Sequence, residues 1–292
     1  MATSSPPALA IAVWVLTVSA VVPAQQLLNW AADDGKRVAA LTKDGGRIDG
    51  QNVIIWFPPT LSRADAELLL KRIDPAVAGL WRRVGTHDWQ LVPKGKITYY
   101  LVDDAFVAHA SGRSAVFVPM ARVRDGRAPF LHEATHELLA SRRNAPSSAR
   151  GSATPAVRPL WLTEGLPDYV ARVVAGETGI TEEGPFGTPT LGGVDAICAD
   201  RARTADGAAM LAFVGAPGRP DVLYTTDRQR FAPTFYACAF SFTKYLAGRV
   251  GLDALVGLFA LTPAEMVSQL DRVAGAPLAD LRAQWLRQLA VP

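Results

Sequence analysis

His132, Glu133 and His136 form an HExxH pattern inside FLHEATHELLA at residues 130–140. The stretch WLTEGLPDY at 161–169 begins 25 residues after His136 and carries Glu164 and Asp168. Residues four apart on a helix lie one above the other on nearly the same face. His132 and His136 can therefore present both imidazoles to one point. Glu133 is turned by about 100° from His132, beside that point rather than on it. A carboxylate placed there can take a proton from a metal-activated water without binding the metal. A structural zinc site would call for four protein ligands, usually including cysteines. The chain has only Cys198 and Cys238, and neither belongs to a CxxC pair. Two histidines with Glu164 as third ligand and one open position make the catalytic arrangement, holding one Zn2+ ion.

The elements around the motif suit a buried helix. Leu131, Thr135, Leu138 and Leu139 point away from the histidines. Pro129 fits a first helical position, and Arg142, Arg143 and Asn144 fit a last turn before Pro146. A third histidine in the form HExxHxxGxxH is absent, because position 139 is Leu and position 142 is Arg.

With Trp161, Glu164, Gly165 and Tyr169 in a W-x-x-E-G-x-x-x-Y context, the chain resembles the gluzincin metallopeptidases, the thermolysin-like and aminopeptidase N-like group. It looks most like the bacterial peptidase MA-like domains. The resemblance implies Glu164 as the third metal ligand. It implies that Asp168 hydrogen-bonds a ligand histidine, the kind of support that fixes an imidazole tautomer. Pro167 stands against this by disturbing the first helical turn, which leaves Asp168 as an N-terminal helix carboxylate. Further on, residues 234–253 resemble the helix that in the aminopeptidase-like enzymes opens with an oxyanion-stabilising Tyr. Tyr236 matches that position, and a phenol donor suits developing negative charge. The competing reading is a core aromatic, since Phe235, Ala239, Phe242 and Leu246 already make an apolar stripe. The GxMEN stretch of the aminopeptidases has no counterpart in residues 111–120, which contain no carboxylate. Aminopeptidase activity is therefore not expected. Residues 114–118 are read as the edge strand along which an extended peptide can pair.

The 292-residue chain carries a net charge of +3 and is 49% hydrophobic. That is enough apolar residue for a sizeable core and too little positive charge for a nucleic-acid surface. The basic run Arg142, Arg143, Arg150 and Arg158 reads as a solvated loop between the two metal motifs. Residues 8–22 are apolar and uncharged, followed by small residues up to Ala24. This reads as a signal peptide over 1–24 and an exported protein, periplasmic or extracellular. The run is short for the roughly 20 residues that cross a bilayer. The missing basic n-region keeps an uncleaved membrane anchor open as the alternative. No other segment reads as a membrane span. Export permits a Cys198–Cys238 disulfide, with free buried thiols as the other reading.

Strands are expected at 36–41, 52–57, 97–102 and 114–118, with a helix over 63–83 that Asp74-Pro75 kinks or divides. The β-β-α-β-β-α order ending in the metal helix matches the first lobe of a zincin. The expected class is α+β, a thermolysin-like zincin fold with a small N-terminal mixed sheet, the metal helix, and a mostly helical C-terminal lobe. A single peptidase domain over 25–292 is expected, with lobes of about 25–145 and 146–292. Helices are expected at 161–175, 196–213, 234–250, 252–260 and 278–289, and from the capping box Thr262 to Glu265 onward. The Gly/Pro-rich 182–193 segment reads either as a flap over the cleft or as an ordinary connection. His87 and His109 lack ligand spacing and read as satisfied surface or loop histidines. The function these features imply is an exported zinc metallopeptidase acting on a peptide or protein. The alternatives are an inactive zincin-fold binding protein and a zinc hydrolase of a non-protein amide such as cell wall. The oligomeric state is left open.

Overall fold

The computed structural model describes residues 30–84, 95–111, 114–143, 158–182, 187, 190–216, 220–261 and 263–291. The expected signal peptide, His87, Arg150 and Thr262 lie outside the described residues. The chain is α+β. Helix α1 (Trp30–Asp44) leads into strands β1 (Gly46–Asp49) and β2 (Val53–Phe57), then helix α2 (Arg63–Val84). Strands β3 (Ile97–Val102), β4 (His109–Ala110) and β5 (Ala115–Pro119) follow, then the short α3 (Met120–Arg124) and the motif helix α4 (Phe130–Arg143). The sheet order is β1-β2-β3-β5-β4. The inner pairs β2/β3 and β3/β5 are parallel, and the outer pairs β1/β2 and β4/β5 antiparallel.

Alternation along the strands divides the two faces. Val53, Ile55, Ile97, Tyr99, Leu101, Val116 and Val118 point into the main core under α2 and α4. Trp56, Tyr100 and Phe117 point the other way and pack with Val38 and Leu41 of α1. Residues 36–41 are thus helical, not the expected strand. Val38 and Leu41 are three apart, a spacing that shares one helical face, and six residues were too few to separate the two periods. Helix α2 runs on through Pro75, so the expected division does not occur. Ile73, Ala76, Val77 and Leu80 bury one continuous face there, and packing outweighs the lost hydrogen bond. Asp74 reaches sideways to the sheet, where its carboxylate accepts from the N–H groups of Asn52 at 2.8 Å and Val53 at 3.1 Å.

The second half is helical. Helix α5 (Leu160–Thr178) ends at Gly179, whose positive φ of 68° forms the left-handed cap, rather than at Gly176. The expected 196–213 helix is two, α6 (Val194–Ala202) and α7 (Ala205–Leu211). Thr204 is extended and its hydroxyl accepts from Gly207 N–H at 3.0 Å, an N-cap that restarts the helix. Helix α8 (Arg228–Val250) begins six residues before the expected 234 and passes through Pro233. Helices α9 (Leu252–Gly257), α10 (Pro263–Ala274) and α11 (Leu278–Gln288) complete the chain. One contiguous apolar cluster runs from Ile48 to Val291 across both halves. A Cys198–Cys238 disulfide ties α6 to α8 within it. Among the described residues, no helix is long and apolar enough to cross a membrane.

Candidate metal centre

Helix α4 presents His132 and His136 on one face, their ring centroids 4.7 Å apart. Helix α5 brings Glu164 to them. The Nε2 atoms of the two histidines are 3.0 Å apart. Glu164 Oε2 lies 3.8 Å from His132 Nε2 and 3.6 Å from His136 Nε2. Donors about 2.0–2.2 Å from a tetrahedral ion are separated by about 3.3–3.6 Å from one another. The three observed edges bracket that spacing, so the donor set fits a zinc-sized ion. A donor atom of Glu133 also lies within 4.8 Å of both imidazoles. Glu164, from a separate helix, has one oxygen at near-edge distance from both nitrogens, so it could serve as a third ligand. Glu133 then remains beside the ion position.

Helix α5 continues through Pro167, so the expected disturbance does not occur. Asp168 stays one turn beyond Glu164 on the same face. Its Oδ1 is 3.0 Å from His132 Nδ1, and the carboxylate is fully buried. A carboxylate only accepts, so His132 keeps a proton on Nδ1, and in its neutral form the Nε2 lone pair faces Glu164 and His136. Burial works to lower the His132 pKa. Asp168 by charge and hydrogen bond, with Glu133 and Glu164, outweighs it and raises the imidazole to about 9. Burial works to raise Glu164, but His136, His132 and Arg228 hold it below the ordinary carboxylate value. Glu133 is raised, because burial outweighs the two imidazoles. A carboxyl of raised basicity is suited to accepting a proton.

Tyr236 sits in the third turn of α8, so it does not open that helix. Its side chain is buried. Burial and then the charge of Glu164 push its hydroxyl well above the ordinary phenol value, against a hydrogen bond from Arg228. Arginine only donates, so the phenol oxygen is the acceptor there and its own proton is directed elsewhere. Tyr236 also belongs to the main apolar core, beside the fully buried Phe235, Ala239, Phe242 and Leu246, so both readings of it stand. Trp161 packs on Phe242 with centroids 5.0 Å apart, so its place in the motif is structural.

Several expectations change. The edge strands of the sheet are β1 and β4, not residues 114–118; β5 is flanked on both sides. A two-residue strand is too short to read from sequence. His109 is no surface histidine: it is buried on β4, with Nε2 3.0 Å from Asp34 Oδ2 and Nδ1 3.0 Å from Val107 O. Arg158 binds the Leu261 carbonyl at 2.8 Å and lies over the Phe259 ring, so it braces the C-terminal half instead of a solvated loop. Of the Gly/Pro-rich 182–193 segment, residues 183–186, 188 and 189 lie outside the described residues, but Glu182 itself is placed. Its buried carboxylate accepts from Leu131 N–H at 2.7 Å and His132 N–H at 2.8 Å. Glu137, next to His136, accepts from Ser114 N–H at 2.6 Å and ties α4 to the start of β5. Sequence reasoning missed Glu137, Arg172, Glu182 and Arg228. Their partners are tens of residues away or set by tertiary packing, and no local pattern marks them.

No protein-family model and no curated protein matches the sequence. Among solved structures, the chain is similar to a crystal structure of "a functionally unknown conserved protein from Bacillus anthracis str. Ames". Identity is 14% and the TM-score 0.39, over 91% of this chain and 56% of that one. The chain thus spans little more than half the length of that protein.

Proposed function

We propose that this chain is an exported, zinc-dependent peptidase of the gluzincin type, built on a zincin fold. The observation that carries the reading is the convergence of His132 Nε2, His136 Nε2 and Glu164 Oε2 at tetrahedral-edge distances, with Glu133 beside them. His132, His136 and Glu164 would hold a zinc ion, which would supply Lewis acidity and lower the pKa of a bound water to about 7. Glu133 accepts the proton of the attacking water and returns it to the leaving amine. Tyr236 directs its phenolic proton at the oxygen that gains charge. Asp168 keeps the His132 ring in the required tautomer. The outer side of β4 is a sheet edge on which an extended peptide can add as a strand.

The test is Glu133→Gln. The variant keeps the metal and loses turnover on a peptide library by about 10²–10⁴-fold, the usual share of a general base. Undiminished hydrolysis would refute the mechanism. A metal-loaded wild type that leaves peptides intact but releases fragments from cell-wall digests would move the substrate to a non-protein amide. A wild type that holds metal and cleaves neither would leave a binding protein.

A further inference from the structure

We propose that Glu182 is a positioning residue for the metal centre, holding the backbone of His132 while Asp168 holds its ring. The inference rests on the metal-site reading above.

The first four N–H groups of a helix have no partner within it and must find one elsewhere. In α4 all four can be accounted for. Phe130 N–H goes to Ala128 O at 3.0 Å, and Glu133 N–H to Pro129 O at 3.1 Å. The two between them, Leu131 and His132, both go to Glu182, one to each carboxylate oxygen. No Ser, Thr, Asp or Asn stands at the start of α4, where Ala128 and Pro129 precede Phe130. The cap is supplied from about 50 residues away, by the segment that leaves α5 after Gly179.

Two successive N–H groups splay by about 100° around a helix axis. A carboxylate gripping both therefore fixes the roll of the first turn, and with it the direction in which the His132 side chain leaves. Asp168 then fixes the rotation of the ring. Both carboxylates come from α5 or its exit, the element that also supplies Glu164. The third ligand and both supports of the first ligand thus move as one body. Burial pushes Glu182 up to about 7, and Arg172, one turn beyond Asp168 on α5, works against that rise. Its guanidinium is buried, makes no hydrogen bond among the described residues, and acts on Glu182 through its field.

The experiment compares Glu182→Gln with Asp74→Asn. Asp74 is a matched control: its carboxylate also takes two successive backbone N–H groups, but at the sheet, away from the metal donors. Chelator-stripped wild type and both variants are titrated with Co(II) against a chromophoric competitor. The d–d spectrum is recorded, and apo stability is measured in urea. Glu182→Gln is expected to weaken Co(II) binding about 10- to 100-fold, as loss of a ligand's support does, and to alter the spectrum. Asp74→Asn is expected to lower urea stability while leaving affinity and spectrum as in wild type. Wild-type affinity and spectrum in Glu182→Gln overturn the proposal. So does equal weakening in Asp74→Asn, which would mark a general loss of stability. If Glu182→Gln does not fold, Glu182→Asp is measured instead; retraction by one methylene should weaken Co(II) binding by a smaller factor, and unchanged affinity overturns the proposal. A wild type that binds no Co(II) defeats the metal-site reading itself, and this inference falls with it.

Discussion

Gly165→Ala tests whether the metal motif depends on how closely α5 approaches α8. A Cβ built at Gly165 comes 2.8 Å from the Ala239 carbonyl carbon, and nearer still to the Ala239 oxygen and Thr243 Oγ1. Two of these three atoms belong to the α8 backbone and cannot swing aside. Ordinary carbon contact needs about 3.5 Å or more, so the helices must part by about 0.7–1 Å. Overpacking of this kind costs about 1–3 kcal/mol, and replacing a helical glycine by alanine returns about 1. The net loss is then no more than about 2 kcal/mol, a Tm fall of a few degrees in a chain of this size. Function should suffer far more. Gly165 adjoins Glu164, and Ala239 lies one turn from Tyr236. Displacements near 1 Å cost about 100-fold in rate when they separate groups that act together. Differential scanning calorimetry, Co(II) spectra and kcat on a peptide substrate measure the three consequences. A Gly165→Ala protein with wild-type kcat and an unchanged or higher Tm would refute the reasoning, because the close approach would then have no bearing on the site.

Three further outcomes follow from the same geometry. His132 is held up to about 9 by Asp168 and the neighbouring carboxylates despite burial, and a metal must displace that proton; Zn2+ affinity should rise about tenfold per pH unit between pH 6 and 8, and a flat profile would contradict the assigned environment. The sign for the metal-free protein is opposite: a raised imidazole adds stability that is complete below about 6.5 and lost as pH rises through about 9, which urea melts at stepped pH would show. Asp168→Asn should weaken metal binding about 10- to 100-fold by removing the acceptor that sets the His132 tautomer; unchanged affinity by competition titration would count against that role. Cys198→Ser opens a bridge between residues 40 apart and should cost about 4 kcal/mol on the loop-entropy account, read from urea unfolding of oxidised wild type and variant.

What could be read beforehand was whatever a single element encodes by spacing. His132 and His136 are one turn apart, as are Glu164 and Asp168, so each pair needs only a helix to share a face. Strand β2 is an unbroken β-branched and aromatic run, and β3 and β5 are rich in the same residues. Elements failed where two periods fit the same few residues, as over 36–41, or where the decisive feature was one residue, as at Thr204. Proline counted for less than its local chemistry suggests: Pro75 does not divide α2, and α5 continues past Pro167. In both a buried helix face continues across the proline, and packing along 22 and 19 residues outweighs one missing hydrogen bond.

The carboxylates that tie distant segments together obey a different logic. Asp74, Glu137 and Glu182 are carboxylates spent on backbone N–H groups at the ends of distant segments. On sequence each is an acidic residue like any solvated one, since its role is defined by where another chain segment leaves an N–H unpaired. Such a carboxylate is stable when buried only if its donors stay in place, so it resists movement of both segments at once. Two of the three act on α4: Glu182 secures its first turn to the exit of α5, and Glu137 secures its middle to β5. A metal site whose ligands come from two helices needs that kind of restraint. The donor separations of 3.0–3.8 Å leave little room for the helices to slide. The candidate ligands are therefore legible from local spacing, while the restraint on the helices that carry them is long-range and is visible only once the segments are brought together.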